Sequence, residues 1–458
     1  LEDRGLYLCV VTNGNDLLVS SSGVFQTTSN GSYDSFILKL DSSGGFVWGT
    51  YFGGTGGDLA LTADLDNNEN LIIGGYTSSI DIPLVNPFQN TMAGALDAFV
   101  AKFTSTGNLM WSTYCGGTNS EDVHALHVDN QNNIIITGET YSNDFPVSSG
   151  AYQVNNNGNL DIFLTKYDAL GSRVFSTYFG GFNREDASGL TSDNLNNIYM
   201  VGYSESNDFP MIGSGIYQSV KDFDKDAFVA KFTPLGQPLK STFIGGSAED
   251  RFTSAEISSS NLLHIAGYTS SVDAPIIGAA YQLINNGFTD GFYYKLDTAL
   301  QPLYSTYLGG SSSDYIYDLK IDSNQLLTFA GFTSSGDFPV TANVFQDTIG
   351  GQSDAFVIQV DSVFSFITNL PRSFKLEDDV EVYPNPFSNQ MQLQIDQFNK
   401  SSHYEVLIYS VEGKKVLSQT ISQQHSHLKI GKTLIAGNYF FVLLKDKQIV
   451  NSTKLIKK

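Results

Sequence analysis

One segment recurs along this chain at an almost constant interval, and that recurrence restricts the fold more than any other feature. The segment Asp97-Ala-Phe-Val-Ala-Lys-Phe103 returns in recognisable form every 63 to 65 residues, beginning at Asp34, Asp161, Asp226, Asp290 and Asp354. A Gly-Gly pair also recurs once per unit, starting at Gly53, Gly116, Gly180, Gly245 and Gly309. Self-similarity at a fixed period indicates a repeat architecture in which each unit is one supersecondary structure.

Each unit contains four short runs with the composition of β-strands. In one unit these runs are 98–104, 109–115, 123–129 and 133–140, and turns rich in Asn and Gly separate them. Four-stranded units arranged around an axis form a β-propeller, which protects strand edges that would otherwise be exposed. A solenoid is the alternative, but a period of about 64 residues is long for one. The sequence therefore predicts an all-β propeller.

Analogy with other propellers predicts the phase of the blades. The strand after each Gly-Gly loop is expected to be innermost, and the strand that ends in the Gly-Gly pair outermost. In this phase Glu2-Asp3 aligns with Glu121-Asp122, and six four-stranded blades fit residues 1–369. The last blade is imperfect, because its outer strand, 364–370, lacks the repeat motif. Either that strand pairs with 356–360, or the edge is left open.

The repeats resemble the bacterial β-propeller repeat known as SBBP. The matching elements are Ser112-Thr-Tyr-Cys-Gly-Gly117, Ser176-Thr-Tyr-Phe-Gly-Gly181 and Gly138-Glu-Thr-Tyr-Ser-Asn-Asp-Phe-Pro146. The resemblance covers roughly residues 1–365. It implies the propeller fold and carries no particular activity.

A second domain follows the repeats. Residues 370–381 are interpreted as a linker, since they contain Pro371 and the acidic run 377–379. Residues 380–458 contain 10 Lys and 5 acidic residues, so this part carries +5 and the remainder −27. Such a shift in charge marks a boundary. Alternating runs after Val382 predict a small, immunoglobulin-like β-sandwich of about seven short strands at 382–458.

This second domain resembles the type A sorting domain of the type IX secretion system of Bacteroidota. The residues that carry the resemblance are Tyr383, Pro384, Asn385, Pro386, Gly413, Lys414, Gly437, Tyr439 and Lys454. The resemblance implies export across the outer membrane, with the secretion machinery as a partner of 382–458. It places the protein outside the cell or on its outer surface.

Charge and composition exclude several classes of partner. The net charge of −22 argues against nucleic acid, since binding to phosphates needs clustered Lys and Arg. No run of 18 apolar residues occurs, so no transmembrane segment is predicted. Cys9 and Cys115 fall in different strands of adjacent repeats and are interpreted as free thiols.

An acidic residue near each Gly-Gly pair is the strongest candidate for a site. The set is Asp58, Asp122, Asp186, Asp250 and Asp314, with Asp3 in the sixth place. Equivalent positions at the start of an innermost strand surround the central channel, so six carboxylates are predicted to ring one mouth. Two interpretations stay open. Each acid accepts hydrogen bonds from its own Gly-rich loop, or the ring binds a divalent cation such as Ca²⁺. No other cofactor is expected.

Other candidate motifs favour structural roles. His124 and His127 lie three apart in one predicted strand and are expected on opposite faces, so they cannot share a metal ion. The segment 64–70 resembles a calcium loop but lacks its Gly and its terminal Glu, which favours a hairpin turn. A mostly aromatic repeat position suggests packing between outer strands rather than an exposed row for stacking sugars; its members are Trp48, Trp111, Phe175, Lys240 and Tyr304.

No catalytic constellation is visible, because the sequence lacks a P-loop, a nucleophile elbow and a His-Glu-x-x-His motif. The favoured function is therefore a secreted or cell-surface propeller that binds a glycan or protein without enzymatic activity. The alternative is a secreted carbohydrate-active enzyme, either a hydrolase or a lyase, on the same scaffold. A cluster of carboxylates or a His–Tyr pair at non-equivalent repeat positions would favour the enzyme.

Overall fold

The computed structural model describes residues 5–19, 25–341, 346–361, 380–383, 390–395, 399–410, 415–429, 437–445 and 448–457. Within these residues every regular element is a β-strand, and there are 29 strands. The described part of the chain therefore contains no helix with the length and apolar character that a membrane span requires.

The repeat region forms a series of antiparallel sheets. Four complete sheets contain β4 (Asp58–Leu65), β5 (Leu71–Thr77), β6 (Asp97–Phe103) and β7 (Leu109–Cys115); β8 (Glu121–Val128), β9 (Ile134–Thr140), β10 (Asp161–Tyr167) and β11 (Arg173–Phe179); β12 (Glu185–Ser192), β13 (Ile198–Ser204), β14 (Asp226–Phe232) and β15 (Pro238–Ile244); and β16 (Asp250–Ile257), β17 (Leu263–Thr269), β18 (Asp290–Leu296) and β19 (Pro302–Leu308). Three-stranded sheets flank them, namely β1 (Leu6–Thr12), β2 (Asp34–Leu40) and β3 (Phe46–Phe52) before, and β20 (Asp314–Ile321), β21 (Leu326–Thr333) and β22 (Asp354–Asp361) after.

The order of strands confirms the predicted phase of the blades. In each complete sheet the strands lie in chain order, from the strand after one Gly-Gly loop to the strand that ends in the next Gly-Gly pair. The first strands of neighbouring sheets contact one another from β4 through β8, β12 and β16 to β20. These strands therefore surround the central axis, and the strands that end in the Gly-Gly pair lie outermost.

The strand that carries the repeat motif is buried on both faces. In β6 all seven residues are buried, because the sheets stack face to face. Phe99 and Ala101 join the core shared with the preceding sheet, while Ala98 and Val100 join the core shared with the following one. A strand whose sheet is covered by a neighbouring sheet on each face needs apolar side chains on both faces.

The aromatic row on the outer strands is part of this packing. Trp48, Trp111 and Phe175 are all less than a tenth exposed. Trp111 lies against Gly171, whose positive φ of 88° places a hairpin turn of the next sheet directly over the indole. The packing interpretation is confirmed, and these residues form no exposed stacking surface.

The Asn-rich segment 64–70 is a hairpin turn, as expected. Asp66 Oδ1 accepts the backbone N–H groups of Asn68 and Asn70, and Glu69 adopts a left-handed φ of 60°. The Nζ of Lys102 lies 2.9 Å from Asp66 Oδ2, so this carboxylate is already paired with an ammonium group.

The first sheet corrects the predicted alignment of the N-terminus. Strand β1 pairs with β2 in the register in which β5 pairs with β6, so β1 is a second strand rather than an innermost one. Asp3 precedes Thr12 by 9 residues, whereas Asp58 precedes Thr77 by 19. Asp3, which lies outside the described residues, is therefore not equivalent to Asp58. Six complete blades stay a prediction, and segment 364–370 also lies outside the described residues.

The C-terminal region forms two sheets around its own core. Its strands are β23 (Val380–Tyr383), β24 (Gln390–Ile395), β25 (Tyr404–Ser410), β26 (Lys415–Ile421), β27 (His425–Lys429), β28 (Gly437–Lys445) and β29 (Gln448–Lys457). The orders β23-β24-β27 and β26-β25-β28-β29 give sheets of three and four strands. Met391, Leu393, Val406 and Phe441 are among the core residues that both sheets contribute. The expected number of strands is present, and the immunoglobulin-like topology stays a prediction.

Candidate functional site at the channel mouth

The Gly-Gly loops place a buried acid at the first residue of each innermost strand. In each complete sheet and in β20 this carboxylate accepts the backbone N–H of the second glycine, over distances of 2.7 to 3.1 Å; the acids are Asp58, Glu121, Glu185, Asp250 and Asp314. All five are buried. The geometry at this position therefore supports the first of the two interpretations, in which each acid accepts hydrogen bonds from its own Gly-rich loop.

The equivalent acids differ from the predicted set at two places. Glu121 and Glu185, rather than Asp122 and Asp186, correspond to Asp58. The predicted alignment was off by one residue in these two repeats because an acidic residue stands at both positions. A shift of one residue in a strand moves a side chain to the other face. The six predicted residues therefore do not form one ring, and Asp122 and Asp186 lie in a different environment.

A second buried acid accompanies each of these residues. Asp226 and Asp250 both lie beside Gly245, within about 3 Å of where a Cβ would stand. Burial raises the pKa of Asp250 to about 7, and burial raises the pKa of Asp226 to about 6. A larger residue at this glycine would displace both carboxyl groups, which explains why glycine recurs there.

Asp122 and Asp186 lie one residue further along the innermost strands than the buried acids. Each stands second in its innermost strand, opposite a residue of the adjacent strand, and Asp122 lies opposite Glu139. At the position of Glu139 four other repeats carry an aromatic residue, while the first sheet carries Val11; the aromatic residues are Tyr76, Tyr203, Tyr268 and Phe332. Two carboxylates directly opposite each other destabilise a sheet unless another group compensates them. The repeat symmetry is therefore broken at the sheet formed by β8 to β11.

His124 lies between the acids of two neighbouring sheets. Its Nδ1 is 2.7 Å from Asp186 Oδ1, and its Nε2 is 3.4 Å from Asp122 Oδ1. Burial alone would lower the pKa of His124, but hydrogen bonds to Asp122 and Asp186 outweigh burial and raise it to about 10. Without another cation at this site, the imidazole is protonated at neutral pH.

A β-bulge explains why sequence reasoning misplaced this histidine. The register of β8 against β9 shifts between Val123 and Ala125, so His124 is an extra residue in its strand. A bulge changes the alternation of side chains on either side of it. His124 and His127 both reach β12, through Asp186 and Ser192, and do not point to opposite faces. The same bulge interrupts β4, β12, β16 and β20.

Two arginines extend the charged part of the mouth. Arg184 donates from Nε and a terminal nitrogen to Glu139 Oε1, over 3.1 and 2.6 Å. Arg251 lies 4.1 Å from the ring centre of Tyr203 and pairs with Glu249. Glu139 is 5% exposed, and burial raises its pKa more strongly than Arg184 lowers it.

Aromatic side chains complete the mouth on the other side. Tyr315 contacts Tyr268 and Phe332, with ring centres 4.7 Å apart in both pairs. Tyr317 packs against Phe332 and is 53% exposed. The mouth is therefore charged beside β8 and β12 and aromatic beside β17 and β20.

A separate group of polar residues lies at the end of the innermost strands that is opposite the mouth. His127 Nε2 is 2.8 Å from the Ser192 hydroxyl, and its Nδ1 is 3.7 Å from Asp64. Lys320 pairs with Glu256 at 2.5 Å and also interacts with Asp64. Lys320 is therefore the cation that faces the carboxylates of Glu256 and Asp64 at this end of the strands.

Among the described residues, one group has the composition and spacing of metal ligands. Asp122, His124 and Glu139 each offer one ligand atom, and these atoms lie within 4.8 Å of one another. Cys9 and Cys115 are free, and burial raises the pKa of both thiols to about 12, so neither offers a thiolate.

Two known families match separate parts of the chain, one in the repeats and one at the C-terminal end. Residues 174–210 match the β-propeller repeat, and residues 381–458 match the secretion system C-terminal sorting domain. The chain thus contains an SBBP-type repeat and a C-terminal sorting domain. This sorting domain directs export to the cell surface or the extracellular space in Bacteroidota. Of the predicted sorting residues, Tyr383, Gly437, Tyr439 and Lys454 lie in described strands, whereas Pro384, Asn385, Pro386, Gly413 and Lys414 lie outside the described residues.

Curated relatives of the repeat propeller are distant and longer. The chain is 23% identical over 218 residues to an uncharacterised WD repeat-containing protein, L264, of Acanthamoeba polyphaga mimivirus, covering 43% of the chain and 15% of that protein. It is 23% identical over 354 residues to the regulatory protein FlaEY of Caulobacter vibrioides, covering 72% of the chain and 35% of that protein. The chain thus spans about a third or less of the length of these relatives.

Two solved structures from Porphyromonas gingivalis are among those similar to this chain. One is PorZ, a surface component of the type IX secretion system, at 12% identity and a TM-score of 0.33, covering 94% of this chain and 50% of PorZ. The other is dimeric latent PorU, at 12% identity and a TM-score of 0.16, covering 98% of this chain and 34% of PorU.

Proposed function

We propose that this exported protein is a non-enzymatic binding protein, and that its propeller binds an extracellular carbohydrate at the channel mouth. The observation that carries the proposal is the division of the mouth into a charged part and an aromatic part. Partly exposed tyrosines provide flat apolar faces, while charged side chains provide strong hydrogen-bonding groups around them. Binding sites for small molecules combine such apolar surfaces with a few directed polar groups.

The arrangement of the tyrosines and of one arginine at the mouth supports this proposal. The aromatic part is formed by Tyr268, Tyr315 and Tyr317, which come from neighbouring sheets and contact one another or Phe332. Arg251 lies between Tyr203 and Tyr268, at 4.1 and 5.9 Å from their ring centres. A sugar ring that packs on the tyrosines would therefore have a guanidinium within reach of its hydroxyl groups.

A carbohydrate-active enzyme is the second candidate. Glu139 favours it, because its carboxyl is buried with a raised pKa, as a general acid requires. Against it, Asp122 and Asp186 both face His124, and Glu139 binds Arg184. Each of these carboxylates already has a cationic partner, which favours binding over catalysis.

Glycan arrays probed with the purified chain test this proposal. Tyr317→Ala and Arg251→Gln should each weaken binding of the recognised glycan at least tenfold. Asn324→Ala, an exposed substitution in the turn at the other end of β20, should not change it. Glycans that bind are then incubated with the protein, and release of shorter saccharides would establish the enzyme instead. Absence of any bound glycan, or equal binding by all three variants, would contradict the proposal.

A further inference from the structure

We infer that Asp122, His124 and Glu139 form a binding site for one divalent transition-metal ion, of which Zn²⁺ is the best fit. The inference rests on the spacing of the ligand atoms, on the residues that already hold His124 and Glu139 in place, and on the local charge. It is independent of the proposed carbohydrate, since it concerns groups that contact one another in the protein itself.

The spacing of the donor atoms fits a tetrahedral ion. Zinc binds imidazole nitrogen and carboxylate oxygen at roughly 2.0–2.1 Å, so two ligands of a tetrahedral site lie roughly 3.4 Å apart. His124 Nε2 and Asp122 Oδ1 are 3.4 Å apart, which is longer than the 2.7–2.9 Å or so that is typical of a charge-assisted hydrogen bond. A carboxylate oxygen of Glu139 completes a set of three donors within 4.8 Å of one another.

Neighbouring residues already orient two of the three ligands. A histidine that binds a metal usually donates its other ring N–H to a carboxylate, which fixes the tautomer and the ring orientation. His124 Nδ1 lies 2.7 Å from Asp186 Oδ1, on the side of the ring away from Asp122. Arg184 holds Glu139 through Oε1, and no described residue donates a hydrogen bond to Oε2. That oxygen is therefore available to a ligand.

The charges of the cluster also suit a metal ion that replaces the proton on His124. With a neutral imidazole, the three carboxylates Asp122, Asp186 and Glu139 are opposed by one guanidinium, that of Arg184, which leaves a net charge of −2. Arg251 is paired separately with Glu249. A single divalent ion would neutralise the cluster and remove the repulsion between the opposed Asp122 and Glu139.

The choice of ion follows from the ligands. Imidazole together with carboxylates suits zinc and other first-row transition metals, whereas calcium takes oxygen ligands almost entirely. This site also differs from the predicted calcium ring. Its three ligands come from one sheet and are held by residues of the next repeat, whereas the ring would take one acid from every repeat.

The repeat itself supplies a variant that should fold. Tyrosine or phenylalanine stands at the position of Glu139 in four other repeats. Glu139→Tyr therefore restores the common residue while removing one metal ligand. His127→Ala is the matched control for His124→Ala, because both histidines lie in β8, are half-buried and contact β12.

Isothermal titration of the chelator-treated full chain with ZnCl₂, MnCl₂ and CaCl₂ tests the inference. We expect the parent to bind one more zinc ion per chain than His124→Ala and Glu139→Tyr do, and to bind calcium far more weakly at this site. His127→Ala should bind like the parent. Asp186→Asn should weaken zinc binding by about 10- to 100-fold, as loss of the carboxylate that orients a metal-binding histidine typically does. Bound Co²⁺ should give the strong visible absorption of a tetrahedral ion, and this band should be absent in Glu139→Tyr.

Two results would overturn the inference. One is failure of the parent chain to bind zinc. The other is an unchanged zinc stoichiometry in both His124→Ala and Glu139→Tyr, which would place any bound zinc elsewhere in the chain. Circular dichroism and the thermal midpoint of each variant verify folding, and Glu139→Tyr keeps the test valid if His124→Ala does not fold.

Discussion

Trp111 donates its indole N–H to the main-chain carbonyl of Ala169 in the next sheet, with Nε1 and O 3.2 Å apart. One repeat earlier, Trp48 makes the same bond to Ser105 at 2.9 Å. The acceptor in both cases belongs to the hairpin turn between the third and fourth strands of the following sheet. The outer strands are therefore joined to their neighbours by directed hydrogen bonds as well as by apolar packing.

Substitution of Trp111 should separate these two contributions. Phe175 occupies the equivalent position in the next repeat, so Trp111→Phe should fit and lose mainly the hydrogen bond, at a cost of about 1 kcal/mol in the free energy of unfolding. Trp111→Ala should cost about 3–5 kcal/mol because it also leaves a cavity. Urea denaturation measures both values. Equal losses in the two variants would show that the hydrogen bond, rather than the packing, dominates.

The buried ion pair between Lys102 and Asp66 should be sensitive to loss of one partner. Both side chains are almost fully buried, and Lys102→Met would leave the Asp66 carboxylate without its cation. Removing one member of a buried pair typically costs roughly 3–5 kcal/mol. Lys320→Met is the control, because Lys320 is largely exposed and its pair with Glu256 should contribute less than about 1 kcal/mol. Similar denaturation midpoints for both variants would contradict the prediction.

The repeat period made most of the propeller predictable. A segment that returns every 63 to 65 residues with four strand-like runs determines both the number of strands per sheet and their order. The Gly-Gly pairs located the loops that enter the innermost strands. These signals are strong because each is repeated five times, so that a chance match in one unit cannot dominate.

The site at the channel mouth was not predictable in the same way. His124 was assigned by strict alternation, and a β-bulge at its own position changed that alternation. A bulge leaves no clear mark in a single repeat. The acids were misaligned where Glu121 stands next to Asp122, because both residues satisfy a search for an acidic position. Counting from Gly116 and Gly53 would have found the difference, since Glu121 and Asp58 both lie five residues after the first glycine.

Removal of residues 380–458 should separate export from folding. Among the side chains that the structure describes, the core of the C-terminal sheets begins at Met391 and the cores of the repeat sheets end at Val360. The shortened protein should therefore melt within a few degrees of the full chain and should no longer appear outside the cell. Calorimetry and fractionation measure the two effects. A large fall in the melting temperature would mean that the two regions stabilise each other.

The buried Asp250 of one Gly-Gly loop should make the propeller less stable as the pH rises. Burial raises the pKa of Asp250 from 3.8 to about 7, so the folded state binds its proton more tightly than the unfolded state does. The stability that this proton provides is complete below pH 4 and is lost as the pH rises through 7. Asp226 raises the pKa of Asp250 further, and Gly246, Ser271 and Thr269 oppose this shift without cancelling it.

Asp250→Asn tests this directly, because an amide resembles the protonated acid. Oδ2 of Asp250 accepts hydrogen bonds from Gly246 and Ser271, which the amide oxygen can replace, while Oδ1 is buried without a hydrogen-bond partner among the described residues. The variant should match the parent near pH 3, where Asp250 is protonated in both the folded and the unfolded state, and should exceed its thermal midpoint by a growing margin from pH 5 to pH 8. Asp273→Asn should do the opposite, because the backbone N–H of Ser247 lowers the pKa of Asp273 and stabilises its carboxylate at neutral pH. Parallel melting curves for the parent and Asp250→Asn across this range would show that Asp250 titrates alike in the folded and unfolded states.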